Sequence, residues 1–354
     1  MIYIKDNCNG KLYYAWELFE YLTRSGKSAC VLSSAYTKNC AHFLNHYDLP
    51  VMNNVTIKAD DIVVEIIDNS SKINHSGATH KMLYYPVHFQ KDDIELPFLY
   101  KIKDNVLITP VKPCSYDDDL FFADIQAAIE LLQALETKHN LSGLNILVSA
   151  GPTAEDIDPV RFLTNRSSGK MGIALAKAAF NRGATVTLVC GPTCQPLPEY
   201  IKVIRVRSAV EMNEQIVSNF SSADIYIAAA AVADYTPNEK LHQKIKKKNQ
   251  ELHLQLKRTA DILKSLAAVK KQQLLIGFSV ETENEIENSR NKLINKHLDM
   301  IVINNPNVEG AAFAEDTNVV TIMDTNGNLE HLPKMTKYEL SQNILNRIIK
   351  LKKR

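Results

Sequence analysis

Several simple function classes are excluded by what the chain lacks. Its six cysteines (Cys8, Cys30, Cys40, Cys114, Cys190 and Cys194) contain no C-x-x-C pair, so the spacing of a zinc ribbon or a dithiol redox centre is absent. Reduced, mostly buried thiols in a cytosolic protein are expected, although Cys190 and Cys194 could meet across the Gly191-Pro192-Thr193 turn. No histidine cluster accompanies them to suggest a metal. Charge of one sign is also missing: 41 Lys and Arg against 40 Asp and Glu give a net charge of +1. No global field would recruit nucleic acid or an anionic membrane. No apolar run reaches membrane-spanning length, and Met1-Ile-Tyr-Ile-Lys-Asp6 is too polar and short for a signal peptide. Repeats and low-complexity segments are not apparent. A cytoplasmic protein is expected, with no nucleic-acid or membrane partner.

Two phosphate-binding signatures are missing as well. A Walker loop fails because Thr164 stands at its first glycine position and Met171 follows Gly169-Lys170. The dinucleotide fingerprint fails because only Gly151, followed by Pro152, stands after the strand. That argues against a nicotinamide-dependent oxidoreductase. No convincing Ser-His-Asp or Cys-His set is present.

What is present is enough for two domains: 354 residues, 45% hydrophobic and 23% charged. Residues 1–140 begin as strand, helix and strand (Met1 to Ile4, Tyr13 to Leu22 ended by Gly26, Ser28 to Leu32), a βαβ opening. Asp117-Asp-Asp119 precedes a predicted amphipathic helix to about Lys138, with Phe121, Phe122, Ile125, Ile129, Leu132 and Leu135 as its apolar stripe. Asn140-Leu-Ser-Gly143 reads as the linker. In residues 141–354, strands are predicted at Asn145–Ala150, Thr185–Cys190, Val203–Val206, Asp224–Ala229, Leu274–Phe278 and Met300–Ile303. Helices are predicted near Gly169–Arg182, Ala209–Asn219, Ala260–Lys271 and Ile286–His297. The alternation predicts an α/β class: a Rossmann-like, mainly parallel sheet with helices on both faces, preceded by a smaller α/β domain. Ligands in such folds sit beyond the carboxyl ends of strands.

The most informative stretch runs from Ile146 to Gly172. It reads as a buried strand, a long polar loop and a helix start capped by Ser167 or Ser168, with Gly183 ending the helix. The loop gathers Arg161, Asn165, Ser167, Ser168 and Lys170 near one helix N-terminus, a geometry that can hold an anion.

Seven segments, in order, carry a resemblance: Ala150-Gly-Pro-Thr153, Ile157-Asp-Pro-Val-Arg161, Thr164-Asn-Arg-Ser-Ser-Gly-Lys-Met-Gly172, Ala230-Ala-Val-Ala-Asp-Tyr235, Lys244-Ile-Lys-Lys247, Gly277-Phe-Ser-Val-Glu-Thr282 and Lys292-Leu-Ile-Asn-Lys296. Over roughly residues 141 to 335 the chain closely resembles the phosphopantothenate–cysteine ligase family of coenzyme A biosynthesis, whose members are often fused behind a flavin-dependent decarboxylase. The resemblance implies ligation of 4'-phosphopantothenate with cysteine through an acyl-cytidylate, with CTP as co-substrate (ATP being the eukaryotic choice), Mg²⁺ held mostly by phosphates and water, and a homodimer. No metal ligand can be named.

The resemblance and residue chemistry together select the site. Asn165 and Lys244 are the catalytic candidates, joined by Arg161, which can hold a phosphate or carboxylate bidentately. For the nucleotide the candidates are the Ala228, Ala229 and Ala230 backbone, Asp234, Lys244, Gly277, Phe278, Lys292 and Lys296. Gly151, Thr153, Ser167, Ser168, Gly169 and Lys170 are the phosphate-loop candidates. Each has a bland alternative: a loop-shaping Asn, a surface Arg pair, a turn Asp, a solvated lysine run at 244–248, a core Phe, or a wet helix face at Lys292 and Lys296. The polar segment Tyr235 to Gln250 could close as a lid.

Tyr14-Ala-Trp-Glu-Leu-Phe-Glu-Tyr-Leu22 resembles the first helix of the family's flavodoxin-like decarboxylase domain. Its phosphate loop is reduced to Asn7-Cys-Asn-Gly-Lys11, and later flavin and substrate motifs are not found. His75, His80 and His88 read as surface residues. Residues 1–140 are therefore expected to be a degenerate flavodoxin-like or replaced domain, without FMN chemistry. A bifunctional protein that also decarboxylates phosphopantothenoylcysteine, and a non-catalytic regulatory relative, are the alternatives.

Overall fold

In a computed structural model of the chain, the described residues are 125–246, 252–310 and 315–353, together with the strands named below and residues 19 and 22–24. The chain divides into two compact units, Met1–His139 and Asn140–Arg354.

The first unit contains β1 (Ile2–Asp6), β2 (Ala29–Leu32), β3 (Val51–Met52), β4 (Ile62–Ile67), β5 (Lys81–Pro86), β6 (Phe89–Gln90), β7 (Lys101–Lys103), β8 (Val106–Ile108), β9 (Val111–Pro113), β10 (Leu120–Ala123) and helix α1 (Ile125–Glu136). Seven strands form one sheet in the order β3-β2-β1-β4-β5-β8-β7, and β6-β10-β9 form a small second sheet. Strands β3 through β8 of that order run parallel, and β7 closes the edge antiparallel to β8. The predicted helix after Asp119 needs correction. Leu120–Ala123 is a strand, with Phe121 opposite Phe89 and Pro113, and the helix begins only at Ile125. Adjacent aromatics favour a pleated strand over a helix face. Leu132 and Leu135 are buried as expected, joined by Leu131. The predicted helix at 13–22 is described only at Phe19 and Leu22, both helical. Asn7–Lys11, Gly26, His75, His80, His88 and Asp117–Asp119 lie outside the described residues.

The second unit is built on β11 (Asn145–Ala150), β14 (Thr185–Cys190), β15 (Lys202–Arg205), β16 (Ile225–Ala228), β19 (Leu274–Val280), β20 (Met300–Asn304), β21 (Thr317–Asp324) and β22 (Leu329–Thr336). Their order is β15-β14-β11-β16-β19-β20-β21-β22. The first six are parallel and the last two antiparallel. Counted in chain order, the six parallel strands run 3-2-1-4-5-6, so strand order reverses between β11 and β16. Open α/β sheets form their ligand crevice at such a reversal. Two hairpins stand at that end: β12 (Ala154–Asp156) with β13 (Phe162–Thr164), and β17 (Tyr235–Pro237) with β18 (Leu256–Arg258).

Helices α2 (Lys170–Asn181), α3 (Ala209–Phe220), α4 (Ile262–Val269), α5 (Glu285–Asn295) and α6 (Lys337–Lys352) complete the unit. Ser208 caps α3 and Asp261 caps α4, while Thr336 and Glu339 form a capping box on α6. One core packs Leu147, Tyr226, Leu275 and Ile301 of the sheet against Met212, Ile216 and Phe220 of α3, Leu266 of α4 and Leu293 of α5. Each such large apolar side chain contributes about 1.5–3 kcal/mol on burial. Helices α2 and α6 are joined by Asn181 Nδ2 donating to Tyr338 Oη at 2.8 Å and by Arg182 donating to Asn346 Oδ1 at 2.9 Å.

Helix α2 ends as the sequence predicts. Gly183 has φ +89°, its N–H donates to the Phe180 carbonyl, and the Ala184 N–H donates to the Ala179 carbonyl. Its start differs from expectation. Gly169, at φ +78°, occupies the N-cap position, and no side chain caps the helix. Cys190 is buried and Cys194 exposed, both as free thiols, so the two do not pair across the turn. Burial pushes the Cys190 thiol up to about 11. Among the described residues no helix is long and apolar enough to cross a membrane.

Candidate functional site

The loops following β11 and β16 are sewn together by backbone hydrogen bonds. Ala231 N–H donates to the Gly151 carbonyl at 2.9 Å, and Thr153 N–H to the Ala231 carbonyl at 3.4 Å. Thr153 is fully buried. Its hydroxyl oxygen accepts from Ala233 N–H at 3.0 Å, and its carbonyl accepts from the Thr164 hydroxyl at 2.7 Å. Gly151 (φ +75°) packs against Gly191 and Gly169. Gly151 and Thr153 therefore build the wall behind the crevice rather than its lining.

The crevice itself encloses about 770 Å³. Of the sequence-selected residues it brings together Asn165, Ser167, Ser168, Gly169, Lys170, Ala228, Ala229, Ala230, Asp234, Phe278, Lys292 and Lys296. Arg161, Lys244 and Gly277 are not in its lining. A Cβ on Gly277 would come within 2.5 Å of Leu298 Cδ1, so this glycine makes room for a core leucine.

One wall is the uncapped N-terminus of α2, where residues 169–172 line the crevice. A helix start without a side-chain cap presents N–H groups and positive dipole to an anion. Close approach of helix to strand depends on Gly172, where a Cβ would stand 2.5 Å from Ala150 Cβ. Lys170 Nζ pairs with Asp316 Oδ1 at 2.7 Å. Asn165 spans the reversal: its Nδ2 donates to the Ala231 and Val232 carbonyls at 3.2 and 3.0 Å. Both amide hydrogens are thereby engaged, and Oδ1 is the acceptor that remains.

The opposite wall carries the cations of α5. Lys292 Nζ donates to the Phe278 carbonyl at 2.8 Å, and Lys296 Nζ lies 3.1 Å from Asp261 Oδ2. Burial, and then the neighbouring Lys296 charge, hold the Lys292 ammonium below the ordinary lysine range against the pull of Glu281, Asp234 and Asp261. A polyanion between these lysines would relieve that strain. Thr259 ties the Asp234 turn in place, its N–H donating to the Asp234 carbonyl at 3.0 Å and its hydroxyl to the Ala233 carbonyl at 2.6 Å.

Sequence reasoning missed several lining residues. Arg258, Thr259, Ala260, Asp261, Ile262 and Leu263 line the crevice as β18 passes into α4. The cap signal at Asp261 was the available clue. Ser149 and Tyr226 form a buried hydroxyl pair at 3.0 Å on the floor, where burial pushes the Tyr226 phenol well above its ordinary value. Lys337, at the start of α6, also lines the crevice although only 6% exposed. Burial, then the Lys170 charge, lower its pKa. No periodicity announces a lysine held by the backbone just before β21, where its N–H and Nζ donate to the Asp316 and Glu315 carbonyls.

Arg161 and Lys244 meet elsewhere. Arg161 Nη1 donates to Asp158 Oδ2 at 2.8 Å and to the Ile245 carbonyl at 3.4 Å. Lys244 is exposed, one residue before that carbonyl. Burial pushes the Asp158 carboxyl up, but N–H donors from Ile245, Val160 and Arg161 and the Arg161 charge outweigh it and hold the group at about 2. Leu241 N–H donates to the Ile157 carbonyl at 3.0 Å, and Lys240 Nζ to Asp156 Oδ2 at 2.7 Å. The segment 240–245 is thus stitched to the turn 156–161. Lys247 to Gln250 lie outside the described residues.

Among the described residues no three His, Cys, Asp or Glu side chains converge as a metal cage. Asp234 and Asp261 are the carboxylates lining the crevice, and Asp261 is already engaged by Lys296 and by the Lys264 N–H.

Known proteins match the second unit. The chain is 46% identical over 221 residues to the coenzyme A biosynthesis bifunctional protein CoaBC of Bacillus subtilis (strain 168), covering 62% of this chain and 54% of that protein. It is 48% identical over 217 residues to a cysteine/cysteine sulfinic acid decarboxylase of an unknown prokaryotic organism, covering 61% of this chain and 60% of that one. The chain therefore spans between half and two thirds of the length of these curated relatives. A crystal structure of the C-terminal domain of the bifunctional protein CoaBC is 42% identical, with a TM-score of 0.53, and the match covers 60% of this chain and 98% of that domain. Residues 141–351 match the family described as the DNA/pantothenate metabolism flavoprotein C-terminal domain. The family match over residues 141–351, more than half of the sequence, shows that this chain belongs to that family.

Proposed function

We propose that the second unit is a phosphopantothenate–cysteine ligase of coenzyme A biosynthesis. The observation that carries the reading is the single crevice at the strand-order reversal, where Asn165, the uncapped start of α2, Asp234, Phe278, Lys292 and Lys296 face one space. The likeness to the CoaBC C-terminal domain supports it.

A carboxylate does not react with an amine because its oxygen is a poor leaving group. In the proposed sequence, a carboxylate oxygen of 4'-phosphopantothenate attacks the α-phosphorus of CTP, and pyrophosphate leaves with the electrons of the broken P–O bond. Cysteine's free amine then attacks the acyl carbon of the resulting acyl-cytidylate. The C–O bond breaks, CMP carries away its electron pair, and the amine's proton passes to solvent. No covalent enzyme nucleophile is required, only charge neutralisation and positioning.

Lys292 and Lys296 neutralise phosphate oxygens, and Phe278 packs on the base. The Ala228–Ala230 backbone and Asp234 contact the nucleotide. Residues 167–170 and the start of α2 hold further anionic oxygens. Asn165 contacts the acyl-cytidylate: Oδ1 accepts from a ligand donor, or an acyl oxygen takes an amide hydrogen in place of a backbone carbonyl. Arg161 and Lys244 belong to the second half-reaction, where their charge stabilises the reacting acyl phosphate. Mg²⁺ bound with the nucleotide would be held mostly by phosphates and water and would neutralise part of the triphosphate charge.

The reading includes CTP in preference to ATP, a cytoplasmic homodimer, and a first unit that is a remnant or replacement of a flavodoxin-like decarboxylase domain. Without the two-residue β3, the parallel strands of that unit follow the 2-1-3-4-5 order of flavodoxin-like sheets. Supplying 4'-phosphopantothenate, cysteine, Mg²⁺ and either CTP or ATP tests the assignment. Pyrophosphate and phosphopantothenoylcysteine are expected, formed faster with CTP. Absence of both with either nucleotide overturns it, and bound yellow flavin in the purified protein overturns the reading of the first unit.

A further inference from the structure

We propose that Asp158 is a positioning residue whose one buried carboxylate holds Arg161 and the backbone beside Lys244 as a single cationic unit. This rests on the ligase reading, which gives those two cations their chemistry.

The carboxylate divides its work between its two oxygens. Oδ1 accepts from Val160 N–H at 2.7 Å and Arg161 N–H at 2.8 Å, which builds the local turn. Oδ2 accepts from Arg161 Nη1 at 2.8 Å and from Ile245 N–H at 3.1 Å, 87 residues away. Arg161 Nη1 also donates to the Ile245 carbonyl. Both polar groups of the Ile245 backbone are therefore bound by the Asp158–Arg161 pair, and the side chain one residue earlier is Lys244. Asp158 itself is 1% exposed, so it presents no surface to a substrate. Its influence passes through what it holds.

Asparagine separates the two oxygens. In Asp158→Asn the amide oxygen can keep the turn, while an NH₂ group replaces Oδ2 and faces two donors, Arg161 Nη1 and Ile245 N–H. The turn survives and the long-range tie is lost.

The test uses the full chain. Asp158→Asn is expected to lower turnover about tenfold with less than about a twofold change in nucleotide KM, the split expected when an interaction serves the reaction more than binding. In a Lys244→Ala background the same substitution is expected to cost less than about threefold, because contacts acting through one another are not additive. The amide of Ile245 is expected to lose hydrogen-exchange protection in Asp158→Asn while that of Val160 keeps it. An equal factor in both backgrounds, or unchanged turnover, overturns the proposal and leaves the ligase reading intact. If the unsubstituted chain makes no product with CTP or ATP, the ligase reading fails. Ile245 protection then decides separately: its loss upholds the tie, and its persistence in Asp158→Asn overturns it.

Discussion

Two groups of cations chosen from the sequence are held in opposite ways. Lys292 and Lys296 stand in the crevice wall, carried by a helix of the main sheet, and burial and mutual repulsion depress Lys292. Arg161 and Lys244 stand outside that lining, where a buried aspartate at about 2 ties the segment that bears them. In the first pair Lys292 is desolvated beside a like charge, which an anion would offset, and Lys296 is paired with Asp261. In the second, Arg161 is already bound by Asp158 and the Ile245 carbonyl, and Lys244 is exposed beside that tie. The difference teaches that charge alone does not define a ligand site. In the proposed reaction one group takes up the polyphosphate, while the other presents charge to the reacting group.

The comparison breaks first at Asn165, which belongs to neither cation group but lies at the reversal. Asn165→Ala is expected to slow turnover by about 10²–10³-fold, the scale for removing one preorganised polar contact to a reacting acyl group. Steady-state rates with the folded state verified by circular dichroism check this. A residual rate within threefold of the parent would mean that the residue only shapes its loop.

The cations themselves provide the next test. Lys292→Met is expected to weaken CTP binding by about 10–100-fold, as loss of a desolvated charge contact does, whereas Lys244→Met is expected to change it by less than about threefold and to slow transfer to cysteine instead. Isothermal titration and single-turnover measurements separate the two. Equal effects on binding would erase the distinction.

A structural contrast follows. Gly172→Ala places a Cβ 2.5 Å from Ala150 Cβ, forcing α2 away from β11. A destabilisation of about 1–3 kcal/mol is expected from such overpacking, together with weaker nucleotide binding, because the start of α2 moves with it. Denaturant unfolding and titration measure both. Ile245 protection should be unaffected, since its tie lies on another element.

The smallest effects are in pH. Lys292 is depressed in the free protein, so a bound polyphosphate raises its pKa and binding takes up protons. Affinity then falls as pH rises through the depressed value, and calorimetry in buffers of different ionisation enthalpy should show the uptake vanish in Lys292→Met. The second group responds at the other end of the scale. The carboxyl of Asp158 is held below the ordinary 3.8, at about 2. Its contribution to stability is full above the ordinary value and is lost as pH falls through about 2. Protection of Ile245 should persist at pH 4 and disappear only in stronger acid.

The main sheet was legible because most of its parallel strands are short apolar runs with a helix before the next sheet strand, although none stands between β14 and β15, and the crevice was legible because motif residues follow strand ends. The hairpins were not. Ala154–Asp156, Phe162–Thr164 and Tyr235–Pro237 are three residues each, too short to show alternation; the first two exist because they pair with each other, and the third because it pairs with Leu256–Arg258 across a long loop. The same limit hid Asp158, whose value lies in a partner 87 residues away, and Lys337, buried by the fold of the second unit. Leu120–Ala123 was misread because its apolar residues continue smoothly into the stripe of α1, and only pairing with β6 and β9 makes them a strand. A serine cap on α2 was expected from composition, yet the crevice wall is formed by a helix start left open.

The most direct test follows an oxygen atom. With ¹⁸O in the carboxylate of 4'-phosphopantothenate, the full chain, CTP, Mg²⁺ and cysteine should yield CMP carrying one ¹⁸O and unlabelled pyrophosphate, because the carboxylate oxygen stays on the α-phosphorus when the amide forms. Label in pyrophosphate or inorganic phosphate, or amide formation with no label in CMP, would contradict nucleotidyl transfer in this crevice.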